Sequence, residues 1–158
     1  ERIGGFPARF VEITGGEPLE QEASLSLMKQ LCDDGYTVAL ETGGHVDVAM
    51  VDPRVIKILD IKCPGSGMAK RTRWSNLVCL HPHDEVKFVV ADEDDYRFAA
   101  ATIRQHDLPH RVSSIFISPV HGGLKLETLA GWMLEDGLPA RLHIQLHKYI
   151  WSPDRRGV

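Results

Sequence analysis

Arg9-Phe10-Val11-Glu12-Ile13-Thr14-Gly15-Gly16-Glu17-Pro18-Leu19 reads as a strand, a turn and the opening of a helix. Phe10, Val11 and Ile13 are strand formers, and the pair Gly15-Gly16 stops the run abruptly. Pro18 suits the first turn of a helix, where a missing N–H costs no intrahelical bond. Two adjacent glycines at the carboxyl end of a strand leave bare backbone that a ligand can approach closely. The same residues also suit an ordinary strand-to-helix turn, so the stretch alone sets the fold rhythm and leaves function open.

That rhythm repeats along the chain. Leu19, Ala23, Leu27 and Leu31, joined by Met28, recur at three and four residues, predicting a helix from Pro18 to Asp34 with Gly35 behind it. Tyr36 to Leu40 is a second strand, closing on Glu41-Thr42-Gly43-Gly44. Val55 to Ile61 is a third, followed by Lys62-Cys63-Pro64-Gly65-Ser66-Gly67, with Asp60 and Lys62 alternating onto one side. Arg73 to Leu80 suggests a short helix. Asp84 to Val90 is a fourth strand, after which Asp92 caps a helix from Glu93 to His106 packed through Tyr96, Phe98, Ala99 and Ile103. Lys87 lies inside this apolar strand, and a buried ammonium must find a partner. Ser113 to Val120 is the fifth strand; Ser118-Pro119-Val120 leads into His121-Gly122-Gly123 and a helix from Leu124 to Asp136. From Arg141 to Lys148 the residues alternate, Leu142, Ile144 and Leu146 against His143, Gln145 and His147, as in a sixth strand. Strands alternating with helices mean a parallel sheet with crossover helices, an α/β fold.

Composition narrows the partners. The chain has 158 residues and is 43% hydrophobic, ample for one domain with a core. Its 18 basic and 22 acidic residues are interspersed, net −4, which excludes an electrostatic nucleic-acid binder. The basic cluster Lys70-Arg71-Thr72-Arg73 is too short to decide anything. No apolar run is long enough to span a membrane, and Glu1 to Pro7 lacks a secretion pattern. Three scattered cysteines, Cys32, Cys63 and Cys79, suit a reducing cytoplasm, with Cys32 and Cys79 as packed thiols. His81-Pro82-His83, two histidines flanking a proline in a polar loop, reads as exposed rather than as a metal site.

Thr14-Gly15-Gly16-Glu17-Pro18 resembles the Gly-Gly-Glu-Pro motif of radical S-adenosylmethionine enzymes. Asp60-Ile61-Lys62-Cys63-Pro64 and Gln145-Leu146-His147-Lys148-Tyr149-Ile150-Trp151 resemble signatures of one family within them, the 7-carboxy-7-deazaguanine synthases. These motifs fall in the family's order, and the resemblance covers nearly the whole chain. It implies a partial, open (β/α)6-type barrel of the radical S-adenosylmethionine fold, lacking its first unit or units, as a single domain over residues 1–158.

The resemblance also implies a site. Gly15, Gly16 and Glu17 would take the methionine end of S-adenosylmethionine and Glu41 its ribose. The stretches Lys62, Cys63, Pro64, Gly65 and Ser118, Pro119, Val120 would enclose the rest of the cofactor. Thr14, Gln145 and His147 would border a pterin substrate, whose amide and amine edge suits Gln and His. In some members the terminal carboxylate reaches the substrate, but no such role is assigned to Val158. The implied reaction converts 6-carboxy-5,6,7,8-tetrahydropterin to 7-carboxy-7-deazaguanine with loss of ammonia, on the route to queuosine and other 7-deazapurines. The implied cofactors are S-adenosylmethionine, a 4Fe-4S cluster and Mg2+, and the implied partners a flavodoxin-type reductant and a second copy of the chain. No residue here is expected to act as a conventional acid or base, or as a metal ligand. Cys32, Cys63 and Cys79 do not form the short three-cysteine stretch that holds such a cluster, so the cluster-binding segment is expected upstream of Glu1 and the 158 residues alone are expected to be inactive. Two alternatives stand beside this reading: a glycyl-radical-enzyme activase and a non-catalytic remnant.

Overall fold

The computed structural model describes residues 3–151, the side chain of His147 excepted. The six strands are β1 (Phe10–Ile13), β2 (Thr37–Thr42), β3 (Ile56–Lys62), β4 (Glu85–Val90), β5 (Ser114–Pro119) and β6 (Arg141–Leu142). They form one open sheet in chain order, and every neighbouring pair is parallel. Four helices accompany them: α1 (Ala23–Asp33), α2 (Glu93–Gln105), α3 (Leu126–Glu135) and the single turn α4 (His147–Ile150). The expected α/β alternation therefore holds, except that β2 to β3 is joined by a loop and β3 to β4 by short 3-10 turns.

Residues paired across a parallel ladder point to the same face, so the register divides the sheet chemically. One face carries Val38, Leu40, Leu59, Ile61, Val86, Phe88, Val90, Ile115 and Ile117, all buried beside Met28, Ile103 and Leu129 of the helices. Each such side chain contributes on the order of 1.5–3 kcal/mol by leaving water, and this layer is what holds the sheet. The other face carries Glu12, Glu41, Asp60, Lys62, Glu85, Lys87, Ser118 and, beyond β6, His143. A sheet with one apolar and one polar face has one side for the core and one free for chemistry.

The helix ends match the sequence signals. Asp92 accepts from the Asp95 amide at 3.0 Å, capping α2. Gly35, at φ 82°, turns the chain out of α1. Pro18 opens a separate 3-10 turn (Pro18–Glu20), and α1 begins only at Ala23, so the single helix expected from Pro18 is two pieces. The stretch from Arg73 is likewise a 3-10 turn, Trp74–Cys79.

The last strand is a correction. Arg141 to Lys148 does not run extended; pairing stops at Leu142, with one more bond from the His143 amide to the Ile117 carbonyl at 2.9 Å. The chain then turns, and the amides of Lys148 and Tyr149 bond back to the carbonyls of Gln145 and Leu146. Period-two alternation alone cannot tell an edge strand from a strand that gives way to a helical turn. Residues 152–158, Val158 among them, lie outside the described residues.

Candidate active site

All strands point the same way, so their carboxyl ends lie along one edge of the sheet. In open α/β sheets this is the edge at which ligands bind. Here the first turn is built by Glu17, whose carboxylate faces inward. It accepts from Thr42 Oγ1 at 2.9 Å, from the Gly43 amide at 2.9 Å and from the Leu19 amide at 3.1 Å. With Glu17 only 9% exposed, its charge ties the loop after β1 to the loop after β2. The cleft side of this turn is therefore backbone. Gly15 and Gly16 adopt φ of 92° and 59°, and a Cβ at either would meet no heavy atom within 4 Å. Bare main chain there faces open space.

Two clefts of about 320 Å³ each run along this edge. Thr14, Gly15 and Gly16 line the first with His45, Met68 and Arg71. Cys63, Gly65, Val120 and Gln145 line the second with Lys87 and Asp95. Glu41, Asp60 and Lys62 belong to both, so the two form one trough across the strand ends. A further cavity of about 400 Å³ continues past Pro119 and Val120 to Gln145 and Tyr149.

The trough floor is a network of paired charges. Lys87 Nζ lies 2.6 Å from Glu41 Oε1. The two residues sit on β4 and β2, so the pair crosses over β3. Lys62 Nζ lies 2.6 Å from Asp60 Oδ2 on its own strand. Burial pushes the Glu41 carboxyl up, but the bond and charge of Lys87 outweigh it and hold the group below the ordinary carboxylate value. Glu12 goes the other way: burial and the neighbouring Glu41 charge raise its carboxyl. Thr14 Oγ1 reaches Glu41 Oε2 at 3.4 Å. Asp60 Oδ1 is buried with no hydrogen-bond partner among the described residues, although Asp60 lines both clefts. A buried acceptor left unpaired costs free energy, so an atom in this state in a cleft wall marks where a ligand donor fits.

The remaining expected residues divide. Cys63 is 1% exposed, and burial, then the Asp95 charge, pushes its thiol to about 12. What Cys63 offers a ligand is position rather than a thiolate. Pro64 is exposed and opens the turn that carries Gly65, whose amide donates to Asp95 Oδ1 at 2.7 Å. Ser118 is fully buried, with Oγ 3.1 Å from His143 Nδ1, so its side chain faces that histidine instead of the trough. Burial, then the Lys87 charge, holds the His143 imidazole below its ordinary value. His147 sits at the start of α4, and its side chain lies outside what is described.

Sequence reading missed three contributors. His45 lines the first cleft and lies 3.2 Å from Glu20 and 3.7 Å from Glu17. Asn76, fully buried, donates to the carbonyls of Gly44 and Val46 and accepts from the Val48 amide, fixing the loop after β2. Arg71 enters from the loop after β3. Only the Gly-rich loops themselves carried a sequence signal; the partners of His45 and Asn76 are 25 or more residues away.

The three cysteines do not meet. Cys32 lies on α1, Cys63 beyond β3 and Cys79 in the 3-10 turn, a donor set that does not fit an iron–sulfur cluster. The group of metal-ligand type among the described residues is His81, His83 and Asp84. Its shared carboxylate already holds a cation: Asp84 Oδ2 lies 2.9 Å from the ammonium of Lys57, and the two residues are 0% and 1% exposed. This cluster sits at the amino ends of the strands, away from the trough, and no described helix is long and apolar enough to cross a membrane.

An all-parallel sheet whose glycine-tipped strand ends line a polar trough defines an α/β protein with its candidate ligand site at the carboxyl edge. No family model matches the chain. It is 46% identical over 165 residues to the 7-carboxy-7-deazaguanine synthase of Koribacter versatilis, covering 96% of this chain and 73% of the relative. Against the synthase of Chlorobaculum tepidum it is 48% identical over 160 residues, covering 99% and 72%. The synthase of Methanospirillum hungatei is 38% identical over 148 residues, covering 91% and 59%. The chain belongs to the 7-carboxy-7-deazaguanine synthase family.

Proposed function

We propose that this protein is a radical S-adenosylmethionine lyase that converts 6-carboxy-5,6,7,8-tetrahydropterin to 7-carboxy-7-deazaguanine and releases ammonia. The observation that carries the reading is family membership over 96% of the chain, together with an exposed Gly15-Gly16 backbone and a buried Asp60 Oδ1 unpaired among the described residues. The alternative of an activase is not favoured, because the relatives are synthases.

The residues present fit the aminoacyl nucleoside. When bound and reduced, S-adenosylmethionine supplies the carbon radical that starts the chemistry by taking a hydrogen atom. The chain's task is to hold and enclose. Main-chain groups of Gly15 and Gly16 receive the ammonium of the methionine end. Glu41, already ionised by Lys87, accepts from the ribose diol beside the free Asp60 Oδ1. Val120 and the turn at Gly65 close the nucleoside from water, and Thr14 and Gln145 border the pterin. The open sheet is read as part of a (β/α)6-type barrel.

No step is routed through the three cysteines, which do not fit the cluster, and a cluster-holding segment outside these residues is part of the proposal. So are magnesium, a flavodoxin-type electron donor, a homodimer and a cytoplasmic location. The test is incubation of the polypeptide bearing that segment, with iron and sulfide restored, with reductant, S-adenosylmethionine and the carboxytetrahydropterin. Stoichiometric ammonia and a deazaguanine product are expected; consumption of neither substrate with the cluster intact overturns the reading.

A further inference from the structure

The polar face of the sheet carries one imidazole among its described residues, that of His143. The His143 amide donates to the Ile117 carbonyl at 2.9 Å, one step beyond the last pairing of β6. That step sets His143 beside Ser118, which pairs with Val89, which in turn pairs with Lys62. The imidazole therefore stands in the same row as Lys62, the last residue of β3, at the carboxyl end of the sheet. Gln145, two residues on, lines both the trough and the cavity beyond it.

His143 is held on two sides. Nδ1 lies 3.1 Å from Oγ of the fully buried Ser118, and the ring centroid is 5.3 Å from that of Phe116. Nε2 has no partner among the described residues, and the residue as a whole remains accessible. The Ser118 hydroxyl can accept from Nδ1–H, which leaves the lone pair on Nε2. The charged groups nearby are Lys87 from β4, Glu41 from β2 and Arg141 two residues earlier on β6. From β5 come Phe116 and Ser118, which carry no charge. Partial burial and the Lys87 charge favour the uncharged ring, so near pH 7 the imidazole is a base with a free nitrogen.

The proposed loss of ammonia has two heterolytic halves. A C–N bond breaks, and the nitrogen leaves with the bonding pair and takes up a proton. A ring C–H bond breaks, its pair becomes a ring double bond, and the carbon gives up a proton. One proton is given and one is taken, so these halves need no oxidant or reductant, and one group acting in turn as base and acid serves both. An imidazole is the side chain suited to both roles near neutral pH. We infer that His143 carries this proton, Nε2 taking it from the ring carbon of the bound pterin and delivering it to the departing nitrogen. The alternation of residues 141–148 did not reveal that role, which rests on the proposed pterin reaction.

The test follows ammonia release by the polypeptide bearing the cluster-holding segment, as wild type, His143→Gln and His143→Ala, with the pterin deuterated at its ring carbons. Both variants should release ammonia about 100-fold more slowly than wild type while binding the pterin equally well. Hydrogen-atom transfer, read as deuterium appearing in the nucleoside, should continue in both. Added imidazole should restore much of the rate to His143→Ala and none to His143→Gln. The wild-type rate should hold at pH 7 and fall only below the ordinary imidazole value, a fall that His143→Gln lacks. Ammonia release by His143→Gln within about threefold of wild type overturns the inference. Loss of deuterium transfer together with ammonia release also overturns it, because that marks a structural role. A wild type that transfers no deuterium and releases no ammonia overturns the pterin reaction itself.

Discussion

Glu17 shows how a motif residue can serve the fold and the site at once. Its carboxylate takes bonds from Thr42, Gly43 and Leu19, so what a ligand meets is the backbone that this charge holds still. Glu17→Ala leaves two amides and a hydroxyl unpaired in a closed space. It should cost about 2–3 kcal/mol in urea unfolding and weaken nucleoside binding in the same variant. Glu12 makes a different prediction. Its folded-state value lies above the ordinary carboxylate value, so the acid form is favoured and stability is lost as pH rises from that ordinary value through the folded one. Glu12→Gln should therefore melt higher than wild type at pH 7 and alike at pH 4, a gain held under about 1 kcal/mol by solvent screening. A melting difference that is larger at pH 4 than at pH 7 contradicts this.

At the scale of elements, the strands and the glycine turns were legible because each is written in adjacent residues. Phe10 to Ile13, the run before Glu41 and the run before Lys62 all lie where their composition puts them. The Asp92 cap was equally plain. The end of β6 was not, because His143 to His147 keep the alternation of a strand while the carbonyls of Gln145 and Leu146 accept from the amides of Lys148, Tyr149 and Ile150 in a turn. The partner of Lys87 was also hidden. The sequence required a partner without locating it, and Glu41 stands two strands away, about 10 Å along a flat sheet. The reach of two long side chains spans that gap on one face of the sheet, and a partner two strands away has no local signature. Asn76 is the clearest case of a long-range fastener, joining one 3-10 turn to the loop after β2. Asn76→Ala should lower stability by about 2–3 kcal/mol and raise the protease sensitivity of residues 43–48. Gly65→Ala should disturb the loop after β3, since its Cβ would stand 2.6 Å from Asp95 Oδ2.

Over the whole molecule, a buried ion pair and the candidate trough occupy opposite ends of the sheet. At the amino ends Lys57 and Asp84 form a buried pair, with Asp84 also accepting from the Lys57 and His81 amides. Asp84→Asn should cost about 3–5 kcal/mol by stranding the Lys57 ammonium, yet leave nucleoside affinity in the folded fraction unchanged. Unfolding curves and calorimetry on one preparation separate the two effects. The contact between Lys87 and Glu41 acts at the other end, as a tie-rod strung from β4 to β2 across β3. Acid slackens that rod only below the ordinary carboxylate range, where Glu41 at last takes a proton. With the rod slack, grip on a nucleoside should be lost at a higher pH than the fold itself, as calorimetry and unfolding followed down the same acid series would read.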